Sequence, residues 1–227
     1  MKPKIYLASR SPRRRELLKQ VGVDHEIVLL REDLKRGPDV DETPRPQEQP
    51  ELYVLRVACA KAEAAALYTG RRAWSARPVL AADTTVVCDG RIIGKPADRE
   101  DAFHILKALS GRKHEVITGV AVAAPDRLEQ AVSVSSVWFR PLADDEIRRY
   151  VATGEPLDKA GAYAIQGRAA AFTTRIEGSF SGIMGLPLAE TAELLTRFGI
   201  ETVCRSCTAT KSRLRPTRRR LRARATR

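Results

Sequence analysis

The chain has 227 residues, enough for one large domain or two small ones, and at 43% hydrophobic content it can bury a sizeable core. It has no run of about 18 apolar residues, which argues against a membrane-spanning helix, and MKPKIYLAS at its start lacks the hydrophobic region of a signal peptide. The net charge of +12 belongs to one end: residues 205–227 hold ten of the 40 lysines and arginines and no acid, so residues 1–204 carry the other 30 against all 28 acidic residues, a net of +2.

Along the body, residues 4–8 read as a strand leading into a helix over 12–21, with Ser11 as N-cap and Pro12 at the first helical position. HEIVLL, 25–30, reads as a second strand. Residues 31–51 carry Pro38, Pro44, Pro46 and Pro50 and read as a long loop, either functional or mobile. The alanine-rich stretch 51–68 is helical and 70–78 is a turn region. Val79 to Ala82 and Thr85 to Cys88 read as two short apolar runs, and Asp89-Gly90 signals a hairpin returning through Arg91 to Ile93. Asp98 caps a helix over 99–109, with Gly111 beyond its end. Residues 114–123 and 131–140 are β-rich, 144–153 is a short helix, 155–183 is rich in glycine and small residues, and a helix over 188–198 stops at Gly199. Helices alternating with strands, plus hairpins, indicate an α/β fold with a mixed sheet. The tail from residue 205 is basic, poor in apolar residues, and reads as disordered.

Several residues carry candidate chemistry. Arg10, Arg13, Arg14 and Arg15 crowd the start of the first helix, where the dipole is already positive. They form either a solvated basic face or, with backbone N–H groups and the hydroxyls of Ser9 and Ser11, a polyphosphate site. Consecutive helical residues diverge by about 100°, so the four cannot all point one way. Asp83 follows VLAA; as the end of a buried strand it is costly without a cation or hydrogen bonds, and the other reading is an Asx turn between strands. Lys95 in GRIIGKP is an ordinary turn lysine or a phosphate contact, and no P-loop pattern accompanies it. Val54, Val57 and Ala65 lie seven, four and four positions from Lys61, so that lysine snorkels from an apolar face or reaches an anion. Glu42, in DVDET, is a solvated loop acid or pairs with Asp83 around Mg²⁺, which takes a few carboxylates plus phosphate oxygens.

Cys59, Cys88, Cys204 and Cys207 make no dense disulfide framework and suit a reducing cytoplasm, and the lone CxxC of Cys204 and Cys207 supplies only two of four zinc ligands. His25, His104 and His114 form no HxxH or HExxH, and there is no GxSxG, which argues against metalloprotease and α/β-hydrolase chemistry.

LASRSPRRRELLKQVG, DVDET, ACAKA, AADTTVVCDGRIIGKP, DAFHILKALSGRKHEVITGVAV, GEPLDKAGAYAIQG and GSFSGIMGLPLAETAELL, in this order from residue 5 to about 200, resemble the Maf family of nucleoside triphosphate pyrophosphatases. The resemblance implies an elongated Maf/ITPase-like α/β fold, a mixed sheet with flanking helices and two lobes around a central cleft, over residues 1–204, often as a homodimer. It implies hydrolysis of a nucleoside triphosphate to the monophosphate and pyrophosphate, with a house-cleaning role. Asp83 matches the general base and a metal ligand, and Glu42 the second acid holding a divalent cation, Mg²⁺ or Mn²⁺. Lys61 and Lys95 match further catalytic positions, and Ser9, Arg13 and Arg14 match triphosphate contacts. DKAGAYAIQG is similar to the dTTP/UTP subgroup, with Gln166 as the residue that selects the pyrimidine and Thr84 and Arg13 tied to base choice; a different base, such as 7-methyl-GTP, is the alternative. Arg10 departs from the family, where small residues are common. Another class also stays open: a nucleic-acid-binding or septum-formation regulator acting through the tail, whose ten positive charges would bind RNA or DNA with strong salt dependence.

Overall fold

The computed structural model describes residues 4–31 and 38–203; Cys204, Cys207 and the basic tail, 205–227, lie outside the described residues. β1 (Lys4–Leu7) runs parallel to β2 (Asp24–Ile27) on one side and to β3 (Val79–Cys88) on the other. From β3 the sheet continues antiparallel through β5 (Lys113–Ala124), β6 (Arg127–Phe139) and β7 (Thr173–Glu177), and β4 (Arg91–Ile93) folds back on β3, giving the order β2-β1-β3-β5-β6-β7. Parallel pairs need crossovers. α1 (Pro12–Gln20) supplies the first, and α2 (Pro50–Arg71) precedes β3. The β3–β4 hairpin turns at Asp89 and Gly90, both at positive φ, as the dipeptide suggested.

The three largest groups of buried side chains among the described residues hold these layers. α2 lays Ala58, Ala62 and Ala65 on Tyr6, Val79 and Ala81 on one face of the sheet. On the other face Leu17 and Leu18 of α1 meet Leu80, Val120 and Leu194, the last from the C-terminal helix Leu188–Arg197. Beyond them, Leu106 of α3 (Arg99–Leu109) and Ile147 of α4 (Asp144–Ala152) pack with Phe139 and Phe172. Each fully buried leucine or phenylalanine contributes about 1.5–3 kcal/mol in transfer free energy. Among the described residues no helix is long and apolar enough to cross a membrane.

The structure corrects the reading of β3. Val79–Ala82 and Thr85–Cys88 are one unbroken strand, and Asp83 stands in its interior, opposite Gly119 of β5, neither at a strand end nor in an Asx turn. Ladder hydrogen bonds come from the backbone and do not register a charged side chain, so the polar interruption in VLAADTTVV ends nothing. β2 is shorter than 25–30 suggested, and Val28–Leu30 leave the sheet toward the cleft. Strand β7, hidden within the small-residue region 155–183, pairs with the edge of β6. Ser11 occupies the N-cap position of α1 without a side-chain cap; the Ser11 N–H donates instead to Ser9 Oγ at 3.2 Å. Asp98 caps α3 as expected, accepting from Asp101 N at 2.8 Å.

Gly119 lets α2 approach the sheet. A Cβ there would lie 2.6 Å from the carbonyl oxygen of Val54. Gly119→Ala is expected to destabilise the fold by about 1–3 kcal/mol, the usual cost of overpacking. Urea denaturation checks this, and an unchanged midpoint would mean that α2 is not seated by this contact.

Candidate active site

Ser9, Arg13, Arg14, Glu42, Lys61, Asp83, Thr84, Lys95 and Gln166, drawn from six separate stretches of sequence, line one cleft of about 540 Å³. The β1–α1 turn forms one wall, the Gly94–Lys95 and 158–166 segments another, and β3 crosses the floor.

Successive residues of β3 face opposite sides of the sheet, and this divides the work. Asp83 faces α2. There Lys61 Nζ donates to Asp83 Oδ1 at 2.8 Å and to Glu42 Oε2 at 2.6 Å, so one ammonium bridges two carboxylates. The Lys61 and Asp83 side chains are 14% and 11% exposed, Glu42 46%. Lys61 therefore does more than snorkel: its stem crosses the apolar face of α2, and its charge compensates a carboxylate within a strand. The acidic end of the long loop is tied down as well. Tyr53 Oη donates to Glu42 O at 3.0 Å, and Arg56 donates to Asp41 O and Thr43 O at 3.1 and 3.0 Å while its guanidinium pairs with Glu48. Burial, reinforced by the charges of Asp83 and Glu42, pushes the Tyr53 phenol up to about 12, so it stays protonated and keeps donating.

Thr84 faces α1. Arg14 donates through Nε to Gly185 O at 2.7 Å, through Nη1 to Ser9 Oγ at 3.2 Å and through Nη2 to Thr84 Oγ1 at 3.2 Å. The Thr118 hydroxyl donates to Gly182 O at 2.8 Å, so in its 2.9 Å contact with Thr84 it must accept. The chain of donors thus runs from Arg14 to Thr84 to Thr118 to a backbone carbonyl, and Thr84 spends its hydroxyl holding Arg14. Arg13 Nε donates to Met184 O at 3.3 Å. Every one of these acceptors is neutral. Among the described residues, no carboxylate lies within ion-pair distance of Arg13, Arg14 or Lys95. Burial lowers the proton affinity of Arg14, and the more distant charge of Asp83 opposes that shift. Cations held by neutral oxygens at a positive helix end leave charge that an anion can compensate. Ser9 Oγ already accepts from Arg14 and from Ser11 N, which leaves its O–H to donate.

Lys95 is exposed in the cleft, and its loop is fastened where Gly161 N donates to Gly94 O at 3.0 Å. Gln166 presents an exposed amide from the far wall. Sequence reasoning missed Lys159, which also lines the cleft, pairs with Asp158 and donates to Glu155 O at 3.1 Å. An acid and a base side by side look like a local solvated pair, and only the fold turns this pair inward. Arg10 reaches Leu30 O at 3.1 Å and sits on the rim. The basic run does split as helical geometry requires, since Arg15 does not line the cleft.

Beneath the wall Tyr163 Oη meets His114 Nε2 at 2.9 Å, amid edge-to-face contacts with Phe139. Burial pushes the His114 imidazole from 6.5 down to about 4. The unfolded chain then binds a proton near pH 6.5 that the folded chain takes only near pH 4, so this stability is full above about 6.5 and is lost as pH falls through the window. The loss is on the order of 3 kcal/mol. Denaturant melts between pH 7 and 4.5 should show that decline in the native protein and a shallower one in His114→Phe; equal slopes would mean that His114 carries no such linkage.

Two carboxylates around one cation suit a hard divalent ion that completes its shell with water and phosphate oxygens. The Lys61 ammonium holds that place here. Among the described residues no group of three or more His, Cys, Asp or Glu gathers as a metal centre, so any ion at Glu42 and Asp83 would take its further ligands from water or substrate.

The family described as Maf-like protein matches residues 4–198. A protein of Aromatoleum aromaticum named dTTP/UTP pyrophosphatase is 57% identical over 203 residues, covering 88% of this chain and 98% of that protein. Proteins of the same name from Dechloromonas aromatica, 54% identical over 196 residues (86% and 98%), and Nitrosospira multiformis, 57% over 197 (87% and 95%), are also similar. The matched span takes in both walls of the cleft, its floor and the tethered acidic loop, and on that basis the chain belongs to the Maf-like protein family.

Proposed function

We propose that this chain hydrolyses dTTP and UTP to the monophosphate and pyrophosphate, in the cytoplasm and in a house-cleaning role. The observation that carries the reading is a single cleft where, among the described residues, Arg13, Arg14 and Lys95 lack carboxylate partners and face the Lys61–Glu42–Asp83 cluster. The names of relatives more than 50% identical over most of the chain agree with it.

A triphosphate carries about three to four negative charges at neutral pH. Arg13, Arg14, Lys95 and the Ser9 hydroxyl are placed to take its oxygens, as the start of α1 is. Water adds to the α-phosphorus, the bond to the β-phosphate oxygen breaks, and pyrophosphate leaves with that electron pair. Lys61 engages Oδ1 of Asp83, which leaves Oδ2 to accept the proton of the attacking water. Glu42 and Asp83 are the residues that would hold Mg²⁺ or Mn²⁺; such an ion supplies charge neutralisation at the phosphates and acidifies water. The Gln166 amide offers one donor and one acceptor, the complement of the O4 and N3–H edge of uracil or thymine.

The test is purified protein with Mg²⁺ and each nucleoside triphosphate, read as pyrophosphate release. UTP and dTTP should lead. A clear preference for a purine such as 7-methyl-GTP would reject the role given to Gln166. Truncation after residue 204 should leave hydrolysis intact; loss of turnover would move the working part to the tail.

A further inference from the structure

One carboxylate grips the chain on both sides of Gln166. Glu155 Oε1 accepts from Arg168 N at 3.1 Å, two residues after the glutamine. The same oxygen accepts from Tyr150 Oη at 2.9 Å, and that phenol oxygen accepts from Ala164 N at 3.2 Å, two residues before it. Gly167 N closes the turn on Ala164 O at 3.0 Å. The fit is tight, for a Cβ at Gly167 would overlap the Glu155 carboxylate. Tyr150 is 4% exposed and packs edge-on against Phe172 with ring centres 5.1 Å apart, so the relay is anchored in the core from α4 itself. Burial, with the Glu155 hydrogen bond second, keeps the phenol protonated and therefore a donor to Glu155. Glu155 does not line the cleft, and Lys159 Nζ contacts only its backbone carbonyl. Nothing in the proposed chemistry uses the carboxylate, yet it fixes the root of Gln166, the amide proposed to face the base.

We infer that Glu155, acting partly through Tyr150, is a positioning residue that sets Gln166 against the pyrimidine and so governs base binding without touching the reacting atoms. The inference rests on Gln166 as the base contact. A freely swinging amide matches cytosine as well as uracil by turning over, so a turn held at both ends gives the side chain a fixed origin from which to discriminate.

The experiment measures kcat and KM for UTP and CTP in the full chain, in Glu155→Gln, Tyr150→Phe and Gln166→Ala, and in Glu155→Gln combined with Gln166→Ala. In either single relay variant KM for UTP should rise about tenfold, roughly one hydrogen bond's worth of binding, while kcat holds within about twofold. The preference for UTP over CTP should narrow. Combined with Gln166→Ala, Glu155→Gln should add nothing further to KM. If it adds its full penalty in that background, or if kcat falls with it, Glu155 supports the fold in general and the inference fails. If Gln166→Ala itself leaves KM and preference unchanged, the base-contact reading fails and takes the inference with it, an outcome distinct from the first. Thermal melts confirm folding, and should Glu155→Gln not fold, Tyr150→Phe, which leaves Ala164 N without its acceptor, carries the same test.

Discussion

Asp83→Asn should lower kcat for pyrophosphate release by about 10²–10⁴-fold, the range for removal of a general base, with KM for the nucleotide little changed. The asparagine keeps the volume and one acceptor oxygen, so the Lys61 contact at that position survives in weakened form and β3, whose ladder is made by backbone, is undisturbed. Arg13 and Arg14, the cations proposed to take the phosphates, are held by the carbonyls of Met184 and Gly185 and by Ser9 and Thr84, none of which touches Asp83. On the proposed mechanism, binding and chemistry are thus separable on the two faces of one strand. Steady-state kinetics with UTP, together with nucleotide titration of the variant, checks the separation. Near-normal turnover in Asp83→Asn would transfer the role of base to another group in the cleft.

What the sequence made legible follows from how local each signal is. The Asp98 cap and the Asp89-Gly90 turn are written in adjacent residues, and the structure has both. The apolar stripe of Val54, Val57 and Ala65 correctly placed Lys61 on the inward side of α2. Asp83 was recognised as exceptional but put in the wrong setting, because a charge inside an apolar run resembles a break, while its compensation comes from Lys61, 22 positions away. The tether of the acidic loop was invisible for the same reason. Tyr53 and Arg56 look like ordinary helical surface residues, and their partners are carbonyls of residues 41–43, whose identity does not matter to the bond. Gathering the cleft residues from 9 to 166 was legible only through the resemblance of whole segments. No periodicity or spacing within the chain reports that the turn before α1 and the turn at Gln166 share a cavity.

The split between the two faces of β3 gives the cleft an electrostatic gradient. Among the described residues, positive charge on the α1 side has no carboxylate partner, and on the α2 side two negative charges share one ammonium. In the proposed reaction a polyphosphate would be drawn to the first, and its reacting phosphorus would be delivered toward the second, where Asp83 would accept the proton. Thr84 serves this arrangement from within the strand: by accepting from Arg14 and donating to Thr118 it fixes the guanidinium in a geometry that needs no carboxylate.

Lys61→Gln tests whether the ammonium and a divalent ion compete for the same oxygens. Lys61 Nζ sits 2.8 Å from Asp83 Oδ1 and 2.6 Å from Glu42 Oε2, between the two groups that would hold the ion. In the free protein this ammonium neutralises part of the carboxylate charge and fills the space. Arriving phosphate oxygens would attract Lys61 away from the acids, opening the pair at the moment substrate can complete the metal's shell. Replacing Lys61 by glutamine removes the competitor but also a cation for the triphosphate, and leaves two like charges facing each other. Two opposite changes are therefore expected. Without nucleotide, Mn²⁺ should bind the variant about tenfold more tightly than the native protein, the effect of freeing one charge-assisted contact. With UTP, kcat/KM should fall by about a hundredfold or more, the scale for losing a preorganised cation at developing phosphate charge. Calorimetric titration with Mn²⁺ reads the first and steady-state hydrolysis the second. Unchanged or weaker Mn²⁺ binding in Lys61→Gln would show that the ammonium does not stand in the metal's place, whereas failure of both proteins to bind Mn²⁺ would remove Glu42 and Asp83 as its ligands altogether.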